Sequence, residues 1–201
     1  MPTNTIGFPP FLFPSTSWFS KWLKNTDKCI VTDWPWQKQS AFNRFYIDGP
    51  NGQQILTIPV KHPERDSLVS QIQISYHIDW PSLHLKTLHS TYNNSPFYEF
   101  LQNNLADLYK NRPVYLIEFV LLSIDLCLYW LKEKKTEKCD QKTSQLLQLT
   151  DIELKKGFFA DERTKEYTQV FSYKNGFLPN VSCMDLIFNE GQLAKAHLID
   201  L

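Results

Sequence analysis

Glycine is scarce, with 6 in 201 residues, and neither GxGxxG nor GxxxxGK[ST] occurs in the chain. That excludes the glycine-rich phosphate cradles of the common nucleotide-binding folds. Cysteine is sparse too: Cys29, Cys127, Cys139 and Cys183 show no CxxC spacing, which argues against a zinc ribbon or thioredoxin-type motif. A chain of this length buries roughly 70% of the surface it exposes when unfolded, so it needs no disulfide framework. The four cysteines are therefore expected as free thiols, which suits a reducing compartment. Neither sign of charge dominates, with 21 Lys+Arg against 21 Asp+Glu. Without a basic field to release counterions from a phosphate backbone, nucleic acid is not an expected partner.

Export and membrane signals are also missing. Met1 to Pro14 has no basic start, and Pro9, Pro10 and Pro14 break its apolar residues, so a secretory signal is not read and a cytoplasmic location is expected. The one long apolar run, Val114 to Leu131, carries Glu118 and Asp125. Each would cost about 2.5–3.5 kcal/mol at mid-membrane, so a buried helix is expected instead of a span. No internal repeat is visible, no His/Cys/Asp cluster has metal-ligand spacing, and no cofactor can be named.

What is present reads as a mixed α/β chain. Trp18, Phe19, Trp22 and Leu23 fall at helical spacing before the apolar run Cys29 to Val31, which predicts an N-terminal unit of helix and strand. From Phe42 to Val60 two extended runs flank Asp48-Gly49-Pro50-Asn51-Gly52, which predicts a β-hairpin that contributes to a mixed sheet. Val69 to Tyr76 alternates apolar and polar residues and predicts another strand. Asp79 with Pro81, Ser95-Pro96, and Asn111 with Pro113 each open a helix, so the middle is helical. The charged run KEKKTEKCDQK begins a stretch, 132–164, expected as a solvated connector within a single domain over 1–201. The chain closes with a predicted strand, Thr168 to Tyr173, a turn at Lys174-Asn175-Gly176, and a short helix. Ser182 and Asp185 have capping-box spacing at its start, with Val181 and Leu186 as a hydrophobic staple.

Four stretches in order carry a resemblance: QKQSAFNRFYIDGPNGQQILTIPV from Gln37, Trp80-x-x-x-His84, Tyr92-x-x-Ser95-Pro96-Phe97, and GFLPNVSCMDLIFNEG from Gly176. Together they resemble the WbqC-like family of bacteria, over most of 11–131 and again 167–191. Members occur among surface-polysaccharide and O-antigen genes, and the proposed activity is transfer of an aminoacyl group, specifically glycine, to a sugar. The resemblance thus implies a transferase with an acyl donor and an amino sugar or nucleotide sugar as substrates. The alternative is a non-catalytic binding or scaffold protein with the same pocket. Two departures bear on the choice: PPFLFPSTSWF stands where members carry Gln-Pro and Tyr-Leu-Pro, and a Ser- and Gly-containing insert of longer members is missing before the closing motif.

The candidate residues each have two readings. His84, on its motif, is the best acid-base candidate because a free imidazole titrates near neutrality; the alternative is a core histidine bonded to a carbonyl and a neighbour. Arg44 suits bidentate grip of a phosphate or carboxylate, or else pairs with a helix carboxylate such as Glu118. Lys38 could add a second positive contact or be solvated. Asn43 neighbours Arg44 on a strand, so the two face opposite ways unless a bulge intervenes. Trp80 and Asp185 enter as substrate-binding candidates on their motifs, although capping already accounts for Asp185. Asn180 could help hold an anion at the positive end of the closing helix. Glu118 and Asp125, seven apart, share one helix face as an acid-base pair or as the wet stripe of a buried helix. Cys183 is read as a small hydrophobe.

Overall fold

The computed structural model describes residues 5–199; Met1 to Asn4, the start of the stretch read for an export signal, lie outside them. β1 (Ile6–Phe8) leads through α1 (Thr16–Lys24) to β2 (Lys28–Val31), and the two strands pair in parallel with Gly7 opposite Cys29. A helical crossover is what parallel neighbours require. α1 turns Trp18, Phe19 and Trp22 inward, the two tryptophan rings stacking 5.1 Å apart. The hairpin pairs β3 (Arg44–Gly49) with β4 (Gly52–Thr57) around the two-residue loop Pro50-Asn51, Gly52 taking φ +97°. Contrary to expectation it does not join the N-terminal strands in a mixed sheet: it stands as its own two-stranded sheet, and β1 and β2 lie in an all-parallel one.

Three helices follow: α2 (Trp80–Tyr92), with Asp79 at its N-cap and Pro81 in its first turn, α3 (Tyr98–Lys110) and α4 (Leu116–Trp130). α4 is buried except along Glu118, Leu122, Asp125, Leu126 and Tyr129, so its acids lie on a wet stripe. Glu118 accepts from the Tyr115 N–H, and Asp125 accepts from the Thr136 N–H and hydroxyl. No helix among the described residues is long and apolar enough to cross a membrane.

Four further expectations change. Cys29 and Cys139 form a disulfide, leaving Cys127 and Cys183 as free buried thiols; residues 110 apart meet on adjacent strands, which spacing along the chain cannot reveal. The stretch 132–164 supplies β5 (Lys138–Cys139) beside β2, β6 (Gln145–Leu146) beside β1, and α5 (Asp151–Lys156), completing the order β5-β2-β1-β6. Its first part is solvated, with no buried residue between Lys132 and Ile152, but Glu153, Gly157 and Phe159 are buried, Phe159 in the core. Val69 to Tyr76 is a single 3-10 turn (Val69–Gln71) followed by isolated bridges to Val60 and Tyr115. Its apolar residues still point inward, Ile72 and Ile74 being buried, but each neighbouring segment carries a proline, Pro59 or Pro113, which cannot donate to a ladder. Thr168 to Tyr173 is a loop running into α6 (Ser172–Asn175), closed by Gly176 at φ +69°; the Gln169 amide and the Phe171 N–H donate to the buried carboxylates of Asp185 and Asp48 instead of to a sheet edge.

α7 (Cys183–Glu190) and α8 (Ala194–Ile199) close the chain. Phe8, Trp18, Phe45, Trp80, Phe119 and Phe188 belong to one buried apolar cluster drawn from both sheets and the helices.

Candidate functional site

Two helices begin side by side. Ser15 caps α1, accepting from the Trp18 N–H at 3.3 Å, and Ser182 caps α7, accepting from the Met184 N–H at 3.3 Å. The two serines form an antiparallel bridge: Thr16 N–H donates to the Val181 carbonyl and Cys183 N–H to that of Pro14. Two residues before each cap the chain takes a positive φ, +40° at Phe13 and +59° at Asn180. Such backbone is costly away from glycine and is found where the surroundings enforce it. Ser182 N–H also donates to the Tyr46 carbonyl, which docks both helix starts on β3.

A crevice lies over this junction, lined by Phe13, Ser15, Arg44, Lys156, Asn180 and Ser182 among others, with room of about 10 Å³. That is about one water or one ligand oxygen. Arg44 is half-buried, its Nε is shut off from solvent without a hydrogen-bond partner, and among the described residues no ion pair or hydrogen bond engages its side chain. The ion pair with Glu118 does not form. On the same face, Tyr46 donates to the Lys155 carbonyl at 3.2 Å. Burial raises its pKa, with the Arg44 charge pulling the other way. Asn180 accepts from the Thr164 hydroxyl at 3.1 Å. Gly157, at φ +71°, ends α5 and accepts from the Ser15 hydroxyl at 2.7 Å.

The remaining candidates lie elsewhere. His84 is 4% exposed among Phe45, Trp80 and Tyr109. Its Nε2 is 3.1 Å from the Thr57 carbonyl, which can only accept, so Nε2 carries the proton and Nδ1 accepts from the Tyr109 hydroxyl at 3.1 Å. Burial lowers its pKa from 6.5 to about 4, with the Thr57 carbonyl pulling back. Trp80 is buried against it with an unpartnered Nε1. Asn43 is buried, donating to the Ile58 carbonyl while its Oδ1 has no partner. Lys38 is exposed on a turn and does not line the crevice.

Asp185 is fully buried and leaves the capping box incomplete: it accepts from Tyr92 and Tyr167 hydroxyls, each at 2.8 Å, and from the Gln169 amide at 3.1 Å. Burial raises its pKa from 3.8 to about 6 against these three bonds, with the Asp48 charge adding. Asp48, itself buried, accepts from Phe171 N–H and Asn175. Burial likewise raises the pKa of the free thiols Cys127 and Cys183. No group of three or more His, Cys, Asp or Glu among the described residues could hold a metal ion.

Of the sequence candidates, then, Arg44 and Asn180 meet, His84 and Trp80 meet in the aromatic core, and Asp185 and Lys38 stand apart from both pairs. Lys156 and Gly157 were missed, although Thr150 with Glu153 is a readable capping box just ahead of them. The partners of Asp185 at Tyr92 and Tyr167 had no local signal. No curated protein and no solved structure matches the chain. The sequence model of the WbqC-like protein family matches residues 9–155, which include Arg44 and His84 and end before Asn180; with most of its length so matched, the chain belongs to the WbqC-like family.

Proposed function

We propose that the chain binds the anionic group of a small molecule at the Arg44 crevice, the ligand being a phosphate-bearing sugar or nucleotide sugar of surface-polysaccharide assembly of the O-antigen type. The observation that carries this reading is the meeting of two helix N-termini beside a guanidinium that has no acidic partner among the described residues. Each helix start holds roughly half a positive charge, and a guanidinium fork fits an oxyanion. One ligand oxygen fills the 10 Å³ recess, and the rest of the molecule lies outward past the exposed Lys156. The polysaccharide context comes from the resemblance to the family.

Two versions share this anchor. In one, the protein is a transferase that passes an aminoacyl group, glycyl in particular, from an acyl donor to the sugar. In the other it binds or presents the ligand without chemistry. The second is favoured by His84, because a general base must reach its proton and both ring nitrogens here are already bonded in the core. In both versions residues 1–201 act as one cytoplasmic unit, and detergent-free fractionation tests that location.

Titration calorimetry of the full chain with inorganic phosphate and a panel of nucleoside-diphosphate sugars tests the anchor. Wild type binds, and Arg44→Gln weakens binding by about tenfold or more, as losing a charge-assisted bond does. Absence of binding by wild type across the panel overturns the reading. Mass-spectrometric detection of glycyl transfer to amino sugars, lost by roughly 10²–10⁴-fold in His84→Gln with the fold intact, establishes the transferase version instead.

A further inference from the structure

We propose that the Cys29–Cys139 disulfide is a redox latch: its reduction frees the strap of residues 132–149 and loosens the Lys156–Gly157 wall of the anion crevice. The strap crosses from one edge of the parallel sheet to the other, with β5 on β2 and β6 on β1. Packing holds it only lightly: no residue between Lys132 and Ile152 is fully buried, and Leu146, Leu147 and Leu149 rest partly buried against the core at its far end. Beside its short ladder with β2, β5 is secured by main-chain bonds from Ile30 N–H to the Glu137 carbonyl and from Thr32 N–H to that of Cys139. Polar side-chain contacts add Thr136 to Asp125 and Gln141 to Asp33. A segment held by exposed hydrogen bonds and little apolar burial opens locally, so the covalent link is the strongest tie on the β5 end of the strap.

The chemistry is accessible from the strap side. Cys139 is half-buried, whereas Cys29 is 3% exposed. A thiolate of an external dithiol attacks Cys139 Sγ, the S–S bond breaks, and Cys29 leaves as thiolate. The second thiol of the reductant then attacks the mixed disulfide, closes its own disulfide and frees Cys139. Two electrons and the two protons of the dithiol pass to the two cysteines.

The strap runs directly into Thr150, the N-cap of α5, whose six residues are too few for a stable helix alone. The far end of that helix, Lys156 with Gly157, walls the crevice. This coupling to ligand binding rests on the anion reading above; strap release does not.

Limited trypsin digestion of the full chain, oxidised and after dithiothreitol, tests the latch, because Lys134, Lys135, Lys138 and Lys142 lie in the strap. Reduction, or Cys29→Ser with Cys139→Ser, speeds cleavage at these lysines by about tenfold or more and weakens inorganic-phosphate binding several-fold. Equal strap cleavage in both forms overturns the latch, as does cleavage spread over the whole chain. Faster strap cleavage with unchanged phosphate affinity overturns control of the site. If the oxidised chain binds no phosphate, the anion reading fails, and the digestion alone decides the latch.

Discussion

Ser15 and Ser182 pair across an antiparallel bridge while each caps a helix, so two caps 167 residues apart are one structural unit. Ser182 makes one cap bond, to Met184 N–H, whereas Ser15 accepts from Trp18 N–H and also bonds Gly157 and Ser17. Ser182→Ala should cost about 0.5–2 kcal/mol, and Ser15→Ala should lie at the top of that range or above it. Denaturant midpoints measure both; equal, negligible losses would remove the caps from the account.

Arg44 has a buried Nε with no partner, so its side chain adds little to the fold. Arg44→Met, which keeps the aliphatic stem, should leave the melting temperature unchanged or raised, because it removes a polar group that is unsatisfied in the free protein. Phosphate binding should fall at the same time. A marked loss of stability would mean that Arg44 serves the fold.

Two buried groups titrate against each other. His84 has its pKa lowered from 6.5 to about 4, so the unfolded chain binds the extra proton, and this contribution is full above pH 6.5 and lost as pH falls toward 4. Asp185 has its pKa raised from 3.8 to about 6, so the folded chain binds the extra proton, and this contribution is full below pH 3.8 and lost as pH rises through 6. Each amounts to something on the order of 3 kcal/mol, with opposite sign in the same window. Wild-type stability from these two groups should therefore be nearly flat between pH 4 and 6.5. Asp185→Asn, whose amide can donate to Tyr92, should expose a steep loss toward acid, and His84→Gln should become more stable toward acid. Urea midpoints across that range decide it; parallel profiles for all three proteins would contradict the assignment.

Gly157 is constrained twice. Its φ is +71°, and a Cβ there would sit 2.6 Å from Ala41 Cβ, an atom fixed to the backbone. Gly157→Ala should cost about 2–4 kcal/mol, combining left-handed strain with overpacking. A thermal melt checks it, and a shift no larger than that of an exposed alanine substitution would show that α5 can move away from Ala41.

Features with a local cause were legible in the sequence. The hairpin around Pro50-Asn51, the helix starts at Asp79 and Ser182, and the wet stripe through Glu118 and Asp125 each depend on residues within a few positions of one another. Arg44 and Asn180 were legible as residues that could hold an anion, but not as neighbours. The strand read at Val69 to Tyr76 failed because alternation reports which side chains turn inward, and that much holds at Ile72 and Ile74, while a ladder also needs a partner able to bond along its length.

By itself, the sequence determined the helix starts at Asp79 and Ser182, which faces are apolar and where the hairpin turns, because caps, prolines and periodicity act over one or two turns of backbone; the starts read at Ser95 and Asn111 fall instead at Phe97 and Tyr115. Only the tertiary structure decided that Cys139 meets Cys29, that Asp185 is held by Tyr92 and Tyr167 and not by its own cap, and that both nitrogens of His84 are occupied by Tyr109 and Thr57. These partners lie 18 to 110 residues apart in the chain. Sulfur, carboxylate and imidazole take their chemistry from whichever groups and how much water surround them, and that surrounding exists only once the chain has closed on itself.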